Sequence, residues 1–334
     1  MQMNSKKSGF RKLLINLSRE RSAWTLCLVG VMVLLLGGTR VSDNSGPLVI
    51  KYGWTGCADV VVTGDSRTGN GVSPGQMKQS LQGLRIVNYA FGGNGYSGEY
   101  LTAIENVLDS HSSNKMIILG ISPQSLTEAM ATRNSFLQAR QSYSYCSVTI
   151  AQSFHKLLRF TEPLKFDELP GGIFAPPDRR RQYRRSYPDG WNSAYDVPPL
   201  RDFSGYLRDA INIFNNNPVS PRIVIDLLHR VTLWRQHGIR VYAFRPPTIR
   251  KMVEFENSYG GFEEHKFVAA FEKAGGRWLN VDQFRYDSLD GCHLSRTGAL
   301  QFSRDLALMI AVEEKLTTGP LELATKPLND AGAF

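Results

Sequence analysis

From Cys57 onward, short apolar runs alternate with longer stretches in which apolar side chains recur every three or four positions. Ala58-Asp-Val-Val-Val-Thr63 predicts a buried strand that runs straight into a glycine-containing turn. Leu84–Ala90 and Lys115–Gly120 predict a second and third strand. Ile239–Phe244, stopped by Arg245-Pro246-Pro247, predicts a fourth, and Arg277–Val281 a fifth. Between and after them, Ile223, Val224, Leu227, Leu228, Val231 and Trp234, and again Ala299, Phe302, Leu306, Met309 and Ile310, each mark one face of a helix. Strands alternating with helices predict an α/β fold, a mostly parallel sheet with helices on both faces. In such sheets ligands bind beyond the carboxyl ends of the strands. The stretch from about 122 to 221, rich in Tyr, Pro, Arg and Asn, is too long for one crossover. It predicts an insertion of helices and ordered loops after the third strand.

The amino-terminal pattern is different. Residues 23–38 carry no charge, and at 1.5 Å per residue they would cover about 24 Å, against a hydrocarbon core of ~30 Å. Basic residues precede this run, with Arg40 after it. The positive-inside rule then predicts a cytoplasmic basic tail (1–22), a transmembrane signal anchor (23–38) and an extracytoplasmic remainder, secreted if the apolar segment is cleaved. A linker (39–56), a catalytic domain (57–316) and a C-terminal tail (317–334) complete the expected organisation.

Charge and cysteine usage narrow the chemistry. The net charge of the 334 residues is +9, but residues 1–40 hold seven basic side chains against one acid, Glu20. The body is therefore close to neutral, which argues against a nucleic-acid partner. Arg179–Arg185 is the exception, with five arginines in the eight residues from Asp178, and reads as a solvated loop or an anion-docking patch. Cys27, Cys57, Cys146 and Cys292 show no metal-ligand spacing, and the histidines at 111, 155, 229, 237 and 265 share no spacing. No metal and no cofactor is expected.

Two short segments carry the candidate chemistry. Gly64-Asp65-Ser66-Arg67-Thr68-Gly69 ends the first strand, where a serine hydroxyl and its own N–H are exposed at the functional edge of the sheet. A nucleophile attacking an acyl carbonyl needs that pairing, because a donor must await the developing oxyanion. Asp290-Gly-Cys-His293 precedes the last helix. A carboxylate three residues before a histidine can accept its Nδ1–H and leave Nε2 to take a serine proton. Ser295 is placed to cap that helix. Together they supply a Ser66-His293-Asp290 set.

On these blocks the chain resembles the SGNH (GDSL-type) hydrolase superfamily. Gly64-Asp65-Ser66 matches its nucleophile block and Asp290-Gly-Cys-His293 its terminal block. Asn88-Tyr-Ala-Phe-Gly-Gly93 looks like the second block, whose last glycine gives an oxyanion-hole N–H. Gly120-Ile-Ser122 stands where the family carries Gly-x-Asn. Ser122 therefore replaces the oxyanion-binding Asn, and Asn94 is a candidate substitute.

The resemblance implies a flavodoxin-like three-layer sandwich and an oxyanion hole of Ser66, Gly93, Ser122 and Asn94. Arg67 and Arg245 are further candidates, for substrate contact. The implied activity is that of a membrane-anchored serine esterase, acting on an acylated small molecule or cell-surface glycan. The overall layout also looks similar to envelope members that work beside membrane-bound O-acyltransferases in D-alanyl transfer and alginate O-acetylation. That implies O-acyl transfer to a glycan as an alternative, and a catalytically inactive glycan-binding protein as a second.

Overall fold

The computed structural model describes residues 30, 51, 53–142, 184–194 and 202–315. The chain divides into two compact units, Met1–Gly53 with Tyr143–Arg180, and Trp54–Ser142 with Arg181–Phe334. Of the first unit, Gly30, Lys51 and Gly53 are among the described residues. The second carries the sheet and every feature that follows.

Its strands are β1 (Val60–Thr63), β2 (Ile86–Asn88), β3 (Met116–Gly120), the hairpin strands β4 (Arg184–Ser186) and β5 (Asn192–Ala194), β6 (Arg240–Phe244) and β7 (Arg277–Trp278). The described helices are α1 (Ser66–Gly71), α2 (Pro74–Met77), α3 (Gly98–Val107), α4 (Glu128–Thr132), α5 (Ser135–Ser142), α6 (Ser204–Phe214), α7 (Pro221–Gln236), α8 (Arg250–Gly260), α9 (Glu264–Lys273) and α10 (Arg296–Glu313). Five strands form one sheet in the order β2-β1-β3-β6-β7, every pair parallel. With the hairpin set aside, this is the doubly wound order 2-1-3-4-5, whose direction reverses between β1 and β3. The register sets Val62 against Asn88 and Ile118, and Thr63 against Leu119, so β1 and β3 deliver their carboxyl ends side by side.

Strands buried on both faces read as unbroken apolar runs, and that is why they were legible. Val60, Val62, Met116, Ile118, Tyr242 and Phe244 share one cluster with Met77, Phe302, Leu306 and Ile310, which places α2 and α10 on that face. The alternate residues Val61, Ile117 and Val241 are also buried. Helices α3 and α7 pack on β1 and β6, and α7 buries Leu227, Val231 and Trp234. Ser295 caps α10, accepting the Gly298 N–H at 3.1 Å.

The elements observed in the insertion are a 3₁₀ turn (Pro123–Leu126), α4, α5, α6 and the β4–β5 hairpin. The hairpin was not expected. Its turn donates the Trp191 indole N–H to the Asn70 carbonyl at 2.7 Å, and its Asp189 carbonyl accepts the Asn88 N–H at 2.8 Å. It therefore braces the far end of α1 and the end of β2.

The expected membrane anchor is corrected. No helix among the described residues is long and apolar enough to cross a membrane. The physical reason was visible in the sixteen-residue run itself, which falls short of a hydrocarbon core of ~30 Å. The N-terminal transmembrane helix, the membrane as partner, the single-pass topology and the extracytoplasmic placement of the catalytic domain go with it. The run lies outside the described residues apart from Gly30, as do the tails, residues 179–183 and Cys146.

Candidate active site

The first strand ends in a turn that only a compact residue can make. Gly64 has φ +152°, and a Cβ there would sit 2.5 Å from Thr68 Oγ1 and 2.9 Å from the Gly120 carbonyl. The next residue, Asp65, is the N-cap of α1, and its Oδ1 accepts the Arg67 N–H at 2.9 Å. Because Asp65 does the capping, the Ser66 side chain is left for other work. Ser66 opens the helix, where backbone N–H groups have no partner inside the helix.

The His293 Nε2 lies 2.9 Å from Ser66 Oγ, although 227 positions separate them. On the other side of the ring, Nδ1 lies 2.8 Å from Asp290 Oδ2. The Asp290 carboxylate also accepts the N–H groups of Cys292 (2.9 Å) and His293 (2.6 Å) through Oδ1. Burial works against the Asp290 charge, but the His293 imidazole and these N–H groups outweigh it. Its carboxyl is held below the usual range. Asp290 is thus an anion aimed at Nδ1, which fixes the proton there and leaves Nε2 to accept from Ser66. The neighbouring Cys292 is a different case: burial pushes its thiol up to about 12, so it stays protonated and is no rival nucleophile.

The expected oxyanion donors differ in burial and bonding. Gly93 is exposed with φ +53°. Asn94 is 1% exposed, with its side-chain amide beside the Tyr100 hydroxyl. Ser122 takes another role. Its hydroxyl donates to Asp65 Oδ2 at 2.5 Å, beside the Gln124 Nε2–H donor at 2.7 Å. A hydroxyl has one hydrogen to give, so Ser122 serves the buried carboxylate and not an oxyanion.

Arg67 and Arg245, the candidates for substrate contact, are both buried. They are 3% and 2% exposed, and both donate to Glu256, a residue that sequence reasoning missed. Arg245 also donates to Glu264 Oε2 at 2.7 Å and to Asn257 Oδ1 at 3.1 Å. The signal for Glu256 was faint: it lies four residues after Met252 and four before Gly260, on the buried stripe of α8. Among the described residues, no three His, Cys, Asp or Glu side chains gather as metal ligands do.

No protein-family model and no curated protein matches the chain. Among solved structures it is similar to Est24, a carbohydrate acetylesterase from Sinorhizobium meliloti. The identity is 13% and the TM-score 0.36, over 76% of this chain and 98% of that one. The relationship is a distant structural one.

Proposed function

We propose that this protein is a serine ester hydrolase of the SGNH type, with Ser66 as nucleophile, His293 as general base and Asp290 as its orienting carboxylate. The observation that carries this reading is the continuous hydrogen-bonded line from Asp290 Oδ2 through the imidazole to Ser66 Oγ. His293 Nε2 takes the hydroxyl proton as Oγ attacks the ester carbonyl. The resulting oxyanion meets the N–H groups of Ser66 and Gly93, with the buried Asn94 amide as third donor. Collapse breaks the bond to the alcohol, which leaves with the proton from Nε2. Water then repeats the sequence on the acyl-enzyme and frees the acid. The membrane-anchored, extracytoplasmic form of this activity is not part of the proposal.

A fluorophosphonate probe and an aryl acetate test it. Ser66 should be labelled, and Ser66→Ala and His293→Ala should each abolish turnover while the melting transition stays in place. Unlabelled Ser66, or full turnover in either variant, sinks the assignment.

A further inference from the structure

Helix α8 touches both halves of the site. Its Glu256 is fully buried, with one carboxylate oxygen on Arg67 Nη2 and the other on Arg245 Nη2 at 2.8 Å. Arg67 directly follows Ser66, and its backbone N–H is tied to Asp65 at 2.9 Å. Leading into the same helix, Thr248 Oγ1 donates to the Gly291 carbonyl in the histidine loop at 2.8 Å. Met252, with Ile249 and Phe255, packs in one apolar cluster with Cys292, next to His293. A single segment, Thr248–Glu256, therefore grips the serine turn by an ion pair and the histidine loop by packing and one hydrogen bond.

The two arginines depend on Glu256 unequally. Arg245 keeps Glu264 and Asn257 as further partners, and its guanidinium lies 5.4 Å from the Phe262 ring centroid. For Arg67, Nη2 reaches Glu256 while Nε and Nη1 are buried without a partner. Burial opposes the Arg67 charge, and the nearby anions, Glu256 foremost, outweigh it and keep the guanidinium protonated. Removing the Glu256 charge would leave this cation buried with no contacting anion, one residue from the nucleophile. A buried charge in that state moves or admits water.

We infer that Glu256 is a positioning residue, which sets the place of Ser66 against His293 by holding Arg67. This rests on the catalytic reading of Ser66. The arrangement predicts an effect on the bond-making step more than on substrate binding, because a small misplacement of a reacting atom costs rate steeply.

The test uses the full chain and 4-nitrophenyl acetate. In Glu256→Gln, kcat should fall roughly 10- to 100-fold while KM stays within about twofold of wild type. The midpoint of the pH–rate profile should not move, since the His293–Asp290 pair is untouched. Fluorophosphonate labelling of Ser66 should slow in parallel. Glu264→Gln, which leaves Arg245 on Glu256, should keep wild-type kcat.

The double variant Arg67→Met/Glu256→Met removes both charges and replaces them with apolar volume, an exchange that buried ion pairs often tolerate. It should fold and stay slow, and it decides the matter if Glu256→Gln does not fold. Wild-type kcat in Glu256→Gln or in the double variant overturns the positioning role alone. A shifted pH midpoint, or a KM rise that accounts for the loss, overturns it as well. A wild-type chain that neither turns over the ester nor labels at Ser66 overturns the catalytic reading and this inference together.

Discussion

The hydroxyl of Ser122 donates its hydrogen to the carboxylate of Asp65, 57 positions earlier in the chain. This bond ties the carboxyl end of β3 to the cap of α1, one residue before Ser66. Burying a polar group is costly unless it is hydrogen-bonded, and the Asp65 carboxylate accepts from Ser122, Gln124 and the Arg67 N–H.

Ser122→Ala should therefore act on stability. Losing a buried hydrogen bond to a charged group costs about 1–3 kcal/mol, with kcat reduced by less than about tenfold. Asn94→Ala should do the opposite, lowering kcat by ~10²–10³ as the loss of an oxyanion donor does. Thermal melts and steady-state kinetics on the two variants separate the roles.

Asp290→Asn should keep the fold and lower kcat by roughly 10³- to 10⁴-fold. An amide has no charge to stabilise the imidazolium, and its NH₂ can turn toward Nδ1, which drives the ring proton to Nε2, where it blocks acceptance from Ser66. Kinetics with an aryl acetate check this, and near-normal turnover would show that Nδ1 is held by another group.

Acid should weaken the chain through its paired aspartates. Asp59 accepts the Arg85 backbone N–H and two guanidinium N–H groups at 2.7–3.0 Å, and the Arg85 side chain holds its carboxyl far below the usual range. A lowered folded-state pKa gives stability that is complete above the unfolded value, near ~3.9 for aspartate, and declines as pH falls from there through the folded value. Asp290 follows the same sign. Asp59→Asn should thus be less stable than wild type at pH 7, and the gap should narrow below about pH 4. Urea melts at a series of pH values measure it; a gap independent of pH contradicts the pairing.

Gly120→Ala should be strongly destabilising, because its Cβ would lie 1.9 Å from Thr68 Oγ1. Overpacking of this kind costs about 1–3 kcal/mol or more. Thr68→Ala removes the nearest clashing atom, so the double variant should be more stable than the sum of the single effects requires. Equal and additive losses in chemical denaturation would place the clash elsewhere.

The sheet and the two ends of the site were legible for a common reason: each is encoded over a few consecutive residues. Val60–Val62 and Met116–Leu119 announce buried parallel strands, and Gly64-Asp65-Ser66 and Asp290–His293 each carry their geometry in a single turn. Strand lengths were less legible. Leu84–Ala90 narrows to Ile86–Asn88; Tyr89 N–H still reaches the Val62 carbonyl at 2.7 Å, but the Tyr89 carbonyl is taken by the Tyr100 hydroxyl and not by a strand. Glu256 was hidden by its helix, since a glutamate among Lys251, Glu254 and Asn257 looks like part of a solvated face. The Ser122–Asp65 bond was hidden by distance along the chain. Which acceptor a serine finds is decided by the register of β1 on β3, and spacing cannot show that. The anchor over 23–38 was a reading from hydropathy and flanking charge, and the described helices give it no support.

The loop that presents His293 is stitched to itself. Leu289 N–H donates to the His293 carbonyl at 2.8 Å, the Ser288 hydroxyl donates to the same oxygen at 3.0 Å, and Gly291 N–H returns to Ser288 Oγ at 2.8 Å. Imidazole and carboxylate therefore travel as a cartridge, already aligned before they meet the serine. Partial melting of the seam between cartridge and sheet would extinguish turnover while leaving the cartridge intact. Heat inactivation should then run ahead of the loss of secondary structure.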